Sequence, residues 1–167
     1  AKMDRIAEAS MHLDQASRID GNLPHVYTSL GAAFSGLGRN DEAAEAFLAA
    51  LQRDPGDAIA HYNLGTLRLM MGDPGGSIPH LESARDLNPT EPDGRFQLGL
   101  AYLRAGRPRD AIPELSKALE LSPDLAAAHV QLALAHLRLG MRHEAAVEAE
   151  LAARAGLPLP AELNQLP

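Results

Sequence analysis

Residues 24–57, PHVYTSLGAAFSGLGRNDEAAEAFLAALQRDPGD, decide how the rest of the chain is read. Moved forward by 34 residues, the stretch meets itself: Leu30 falls on Leu64, Leu98 and Leu132, and Gly31 on Gly65, Gly99 and Ala133. Gly38, Gly72, Gly106 and Gly140 keep the same step, as do Ala50, Ala84, Ala118 and Ala152. Pro55, Pro89 and Pro123 continue it, and the fourth unit has Leu157 with Pro158 one residue late. A fixed period of this length means stacked supersecondary units, none of which can bury its apolar face alone.

Each unit reads as two helices. The first is expected over about 24–37, 58–71, 92–105 and 126–139, with Gly31, Gly65, Gly99 and Ala133 allowing close approach of a neighbour. A mid-helix glycine costs ~1 kcal/mol against alanine, so packing must offset it. Glycines 38, 72, 106 and 140 supply the left-handed residue that ends a first helix. Asn40-Asp41, Asp73-Pro74 and Arg109-Asp110 are expected to open the second helices with capping and early-turn acids. Asp73-Pro74-Gly75-Gly76 is expected to be the loosest of the turns, and Pro79 and Pro113 lie early in their helices, where few hydrogen bonds are lost.

The unit 24–57 carries Tyr27, Leu30-Gly31, Phe34, Ala43, Phe47 and Pro55, and so resembles the tetratricopeptide repeat at every signature position. Residues 58–91 keep Leu64-Gly65 and Pro89 but have His61, Arg68, Ser77 and Leu81 elsewhere. Residues 92–125 give Arg95, Leu98-Gly99, Tyr102, Ala111, Leu115 and Pro123; residues 126–159 give His129, Leu132-Ala133, His136, Ala145 and Ala149. Upstream, Ala9, Leu13 and Ala16 share the phase of Ala43, Phe47 and Ala50, so residues 1–23 read as the second helix of a half repeat. The resemblance implies an all-α fold, a right-handed α-solenoid of antiparallel helix pairs. It has four full repeats behind that half repeat, forming one array over 1–159, with 160–167 as a tail. The stretch from Leu157 to Pro167 is apolar, has three prolines and reads as a poor capping helix, so it either folds onto the array or leaves an end to pack against a second copy or against sequence absent from this chain.

Composition agrees. The chain has 22 acidic and 15 basic residues, a net charge of −7, no Cys or Trp, and three each of Tyr and Phe. Its 46% hydrophobic content therefore comes mainly from Ala and Leu, which are helix formers. The acidity disfavours phosphate-driven nucleic-acid binding, and no apolar run approaches the ~20 residues of a membrane-spanning helix. Lack of cysteine leaves the compartment open, with the cytoplasm expected ahead of the periplasm. Arg outnumbers Lys 13 to 2, a bias that suggests a bacterial source.

In the family the resemblance invokes, the first helices line a concave groove that holds a partner's peptide. Carried over, the groove columns are Tyr62, Thr66, Leu69 and Met70, then Phe96, Leu100, Leu103 and Arg104, then Val130, Leu134, Leu137 and Arg138. Ser29, Asn63, Gln97 and Gln131 form a polar sixth column, similar to the asparagine ladder of a glycosyltransferase member of the family. Carboxamides that donate and accept could pair with an extended peptide backbone, or could simply wet an open groove. Arg104 and Arg138 either meet an acidic ligand group or sit at helix ends in favourable dipole contact. The chaperone-tail carboxylate clamp is absent, since Thr28, Ala32, Asp93 and Gln97 stand at its places.

No catalytic or metal constellation emerges. His61, His129 and His136 occupy columns that pack an aromatic between helices, so satisfied, half-buried imidazoles are expected rather than ligands. His143-Glu144 lacks the second histidine of a zinc helix, and Gly36-Leu37-Gly38 is a helix end rather than a nucleotide loop. Glu42, Glu45, Glu114, Glu120, Glu144 and Glu148 recur on second helices, whose outer faces are normally solvated. The expected function is a non-enzymatic, cofactor-free scaffold binding a protein or peptide partner in an apolar groove. The alternatives are a unit that self-assembles into homo-oligomers through uncapped ends, and the substrate-presenting part of a larger enzyme.

Overall fold

The computed structural model of the protein describes residues 24–166, together with Glu8, Met11 and Gln15. The expected half repeat therefore lies outside the described residues, apart from those three exposed positions. Residues 24–166 hold eight α-helices and no strand: α1 (Pro24–Gly36), α2 (Asn40–Arg53), α3 (Ala58–Met70), α4 (Pro74–Leu87), α5 (Pro92–Arg104), α6 (Pro108–Leu121), α7 (Ala126–Arg138) and α8 (Arg142–Arg154). None of these is long and apolar enough to cross a membrane.

The helices pack in adjacent pairs, α1 on α2, α3 on α4, α5 on α6 and α7 on α8. Two compact units result, one ending at Leu87 and the other beginning at Asn88. In the first, α3 also packs on α2 and α1; in the second, α7 packs on α6 and α5. Phe47 of α2, 1% exposed, anchors the first unit with Ala43, Leu64 and Leu67, and Phe34, Ala44 and Leu51 close around them. Burying one such ring contributes about 1.5–3 kcal/mol.

Every first helix ends one residue before its expected limit, and all four end alike. Gly38, Gly72, Gly106 and Gly140 have φ of 74, 81, 73 and 78°. The amides of Arg39, Asp73, Arg107 and Met141 each reach back five residues, to the carbonyls of Phe34, Arg68, Tyr102 and His136, at 2.8–2.9 Å. These are Schellman closures, in which the left-handed residue lets the next amide satisfy an orphan carbonyl.

The glycines of the first helices do more than permit backbone approach. A Cβ on Gly31, Gly65 or Gly99 would lie 2.6 Å from the side chain of Phe47, Leu81 or Leu115. Each glycine is thus the socket for the large residue of its own second helix, and all three of those residues are at most 1% exposed.

The starts of the second helices differ from expectation. Arg39, Arg107 and Met141 stand at the N-cap positions and make no side-chain cap bond. Arg109-Asp110 lies inside α6, so the anticipated capping is one register late. Instead Arg39 pairs with Glu42, and Arg107 with Asp110 at 2.7 Å, while their guanidinium carbons sit 4.5 Å and 4.6 Å over the rings of Phe34 and Tyr102. The second repeat inverts this couple: Arg68 replaces the aromatic, and Asp73 replaces the arginine. Asp73 accepts from the Gly76 amide at 2.8 Å and lies 4.0 Å from Arg68. Its glycines are thereby held in the first turn of α4 rather than in a loosened loop.

The C-terminal end is also closed. Gly156, with φ 81°, gives α8 a Schellman turn that the other second helices lack, the Leu157 amide reaching Ala152 O at 3.1 Å. Beyond it the chain folds back, and Leu163, 2% exposed, packs with Ala133 and Ala149. Val130, Leu134 and Leu137 join from α7, and Leu159 and Leu166 from the tail. Of the two fates open to it in the sequence, the tail takes the first and folds onto the helices.

Candidate functional site

In the first unit, α1 and α3 diverge over a cleft of about 150 Å³ lined by Ala32, Ser35, Phe47, Asn63, Thr66, Leu67 and Met70. Three expected groove residues meet here. Met70 is 71% exposed at its rim, and the Thr66 hydroxyl is buried without a hydrogen-bond partner among the described residues. Asn63 is half-buried beside it. Small residues on α1, Ala32 and Ser35, leave this space open where the same columns of the third repeat carry Leu100 and Leu103. The cleft offers an apolar floor, one donor–acceptor carboxamide and one orphan hydroxyl, which suits an apolar side chain flanked by a peptide group.

The remaining groove residues divide by burial. Tyr62 is half-buried and already engaged by a neighbour. Leu69 is 2% and Leu103 3% exposed, so the twelfth column packs inward and contributes no open surface in those repeats. In the second unit Phe96, Gln97 and Leu100 are half-buried, and Arg104 is exposed but not without a partner. Val130, Leu134 and Leu137 lie in the cluster that receives the tail, with Gln131 half-buried among them in sequence.

Arg138 takes a structural position. Its guanidinium donates to the Leu103 carbonyl at 2.6 Å, at the C-terminal end of α5, where a cation complements the helix dipole. Of the two roles open to it in the sequence, the geometry matches the helix-end contact. Thr28, in the fifth column, is likewise occupied: its hydroxyl donates to Asp57 Oδ2 at 2.5 Å, while Asp57 Oδ1 accepts from the Ala60 amide.

His61, His80 and His129 find partners at one recurring place. His61 and His80, Arg95 and Glu114, and His129 and Glu148 join first to second helix in three successive repeats, at 3.2, 2.9 and 2.6 Å. His61 Nε2 lies 3.1 Å from the Pro55 carbonyl, so it carries the proton, and His61 Nδ1 accepts from His80 Nδ1. Burial, then the Arg68 guanidinium and the His61 ring, hold His80 below the ordinary imidazole value. His136 departs from expectation, since its buried Nδ1 has no partner among the described residues. Among those residues no three His, Asp or Glu side chains gather as a metal site would require.

A second hollow, about 260 Å³, went unread in the sequence. Tyr27, Leu30 and Phe34 of α1 face Glu42, Glu45, Ala46 and Ala49 of α2 across it. Leu30 at its floor is 6% exposed, against 0% for Leu64 in the same column of the next repeat.

The structure is similar to that of MamA, with a TM-score of 0.85 at 25% identity over 90% of this chain and 88% of that one. MamA from AMB-1 gives 0.83 at 27% identity over 93% and 91%. YrrB, described as "a TPR protein with an unusual peptide-binding site", gives 0.84 at 22% identity over 92% and 79%, a likeness of fold. No curated protein matches the sequence. The sequence profile of the tetratricopeptide repeat matches residues 28–92 and again 96–158, well over half the chain. With its pairs of helices and its period of 34, the chain belongs to the tetratricopeptide repeat family.

Proposed function

We propose that the protein is a non-enzymatic interaction scaffold that grips a partner peptide by the first helices of its repeats, beginning at the α1–α3 cleft. The observation that carries the reading is the orphan Thr66 hydroxyl in a cleft rimmed by Asn63 and Met70. A buried hydroxyl without a partner costs about 1–3 kcal/mol, and an incoming peptide group removes that cost. The side chains of Asn63, Gln97 and Gln131 make no hydrogen bond among the described residues, leaving their amides available to a peptide backbone. Phe96 and Leu100 supply apolar contact within the second unit. Peptide binding by YrrB, a protein of similar fold, is consistent with this role.

Panning a displayed peptide library on the full chain tests it. Peptides held by the wild type should be lost on Met70→Glu and weakened at least tenfold by Asn63→Ala, with both variants melting as the wild type does. Peptides that bind both variants unchanged would remove the cleft from the function.

Self-assembly keeps one supporting feature, the hollow between α1 and α2. The tail covers the opposite end of the chain. Sedimentation of the wild type distinguishes this second reading, which requires a mass above that of the monomer.

A further inference from the structure

Sulfur in this chain means methionine, since it has five of them and no cysteine. Among the described residues Met11, Met70, Met71 and Met141 are all exposed, and Met70 is the one that lines the α1–α3 cleft. Four residues before it on α3 stands Thr66, in the wall of the same cleft, its hydroxyl buried and without a partner among the described residues. Long side chains on a helix lie back over the turn that precedes them, which carries the Met70 thioether towards the turn that holds Thr66. The pairing occurs in the second repeat alone. The same two columns hold Ala32 and Gly36, then Leu100 and Arg104, then Leu134 and Arg138.

A thioether is a weak acceptor and leaves a hydroxyl such as that of Thr66 unsatisfied, whereas a sulfoxide is polar and accepts strongly through its oxygen. With hydrogen peroxide the sulfur lone pair attacks one peroxide oxygen, the O–O bond breaks and an S–O bond forms. The proton left on the transferred oxygen passes to the departing hydroxide, which leaves as water. Sulfur is oxidised by two electrons and the peroxide is reduced by two. Sulfoxide reductases reverse the change with electrons from thiols.

The geometry points to Met70 as a reversible oxidation site that closes the α1–α3 cleft: its sulfoxide oxygen, formed by hydrogen peroxide, accepts from the Thr66 hydroxyl and takes the bond otherwise left for an incoming peptide. This inference rests on the peptide-binding reading of the cleft and adds its regulation. The reduced rim is apolar and adaptable; the oxidised rim is polar, so the floor of Phe47 and Leu67 loses its apolar edge as well.

The test uses the full chain carrying Met3→Leu, Met11→Leu, Met71→Leu and Met141→Leu, volume-conserving changes that leave Met70 as its only sulfur. Hydrogen peroxide should add one oxygen atom, read by intact mass, and a methionine sulfoxide reductase should remove it. The oxidised chain should melt about 2 °C above the reduced one, and adding Thr66→Val should abolish that gain. The pool of displayed peptides recovered on the untreated chain should bind the oxidised chain at least tenfold more weakly, and reduction should restore the binding. Adding Met70→Leu should make affinity for the pool insensitive to peroxide.

An oxidised chain that binds the pool as before overturns the switch and leaves the peptide reading standing. A melting temperature that does not rise on oxidation, or that rises equally with Thr66→Val, overturns it by removing the bond. Recovery of no peptides on the untreated chain ends the reading of the cleft, and the switch falls with it.

Discussion

The hydroxyl of Thr28 on α1 donates to the carboxylate of Asp57 at the start of α3, at 2.5 Å and across 29 residues of sequence. Both residues are buried, at 7% and 6% exposure, and the second carboxylate oxygen caps α3 through the Ala60 amide. One side chain therefore starts a helix and fastens it to the preceding repeat. Thr28→Val removes a hydrogen bond to a charged acceptor and leaves that acceptor buried, so it should cost about 1.5–3 kcal/mol in urea unfolding. Asp57→Ala should cost at least as much, losing the cap as well. The double variant should cost less than the sum, and strict additivity would show that the two do not act as a unit.

Glycines 65 and 99 hold the large residue of the facing helix, so a helix-favouring substitution should here destabilise. Alanine gains about 1 kcal/mol in intrinsic propensity. Its Cβ would fall 2.6 Å from Leu81 or Leu115 and overpack the pair, which costs about 1–3 kcal/mol. Gly65→Ala and Gly99→Ala should lower the melting temperature, and Gly65→Ala should cost less in a Leu81→Ala background than in the wild type. A rise in melting temperature for either single variant contradicts the socket.

The inverted couple of the second repeat predicts a compensated swap. Asp73→Arg alone removes the cap on Gly76 and sets two guanidinium groups together, which should cost about 1–2 kcal/mol. Adding Arg68→Tyr rebuilds the cation–π arrangement of Arg107 over Tyr102 and should restore stability beyond either single change. Chemical denaturation of the four members of the cycle reads the coupling directly.

His80 makes the first unit sensitive to acid. Its folded value is depressed by burial, Arg68 and His61, so the folded chain holds fewer protons than the unfolded chain once pH falls below about 6.5. Stability from this group is complete above that pH and is lost progressively on acidification towards the folded value. His80→Gln should narrow the gap between melting temperatures measured at pH 7.5 and 5.5. An unchanged gap would place the acid sensitivity elsewhere.

Leu69 and Leu103 in the twelfth column pack inward, and Met70 in the next column is open. Both leucines are nearly buried, so Leu103→Ala should cost about 2–5 kcal/mol by leaving a cavity, as should Leu69→Ala. Met70→Glu, at a position 71% exposed, should stay within about 0.5 kcal/mol of wild type while altering peptide binding. Calorimetry beside a binding assay separates the two classes.

The period made the helix limits legible to within one residue, because Gly38 and its counterparts must take a left-handed conformation that few other residues tolerate. It also located the crossings at Gly31, Gly65 and Gly99. Capping was misplaced because Asp110 looks like a cap in isolation, whereas its partner Arg107 already occupies the cap position. The tail's place was left open because its prolines hid its phase, although Pro160 falls where Pro92 opens α5. Column spacing brought Asn63, Thr66 and Met70 to one cleft, yet could not separate Met70 from its neighbour Leu69, since one helical step turns a side chain from solvent into the core.

The bond from Thr28 to Asp57 fastens α1 to the start of α3, and the places of that pair hold Tyr62 and Glu91 one period on, then Phe96 and Leu125. That joint is therefore keyed. A chain in which the first repeat was exchanged for the second would keep the period and lose the key at that joint. A periodic sequence that looks interchangeable thus carries a written order.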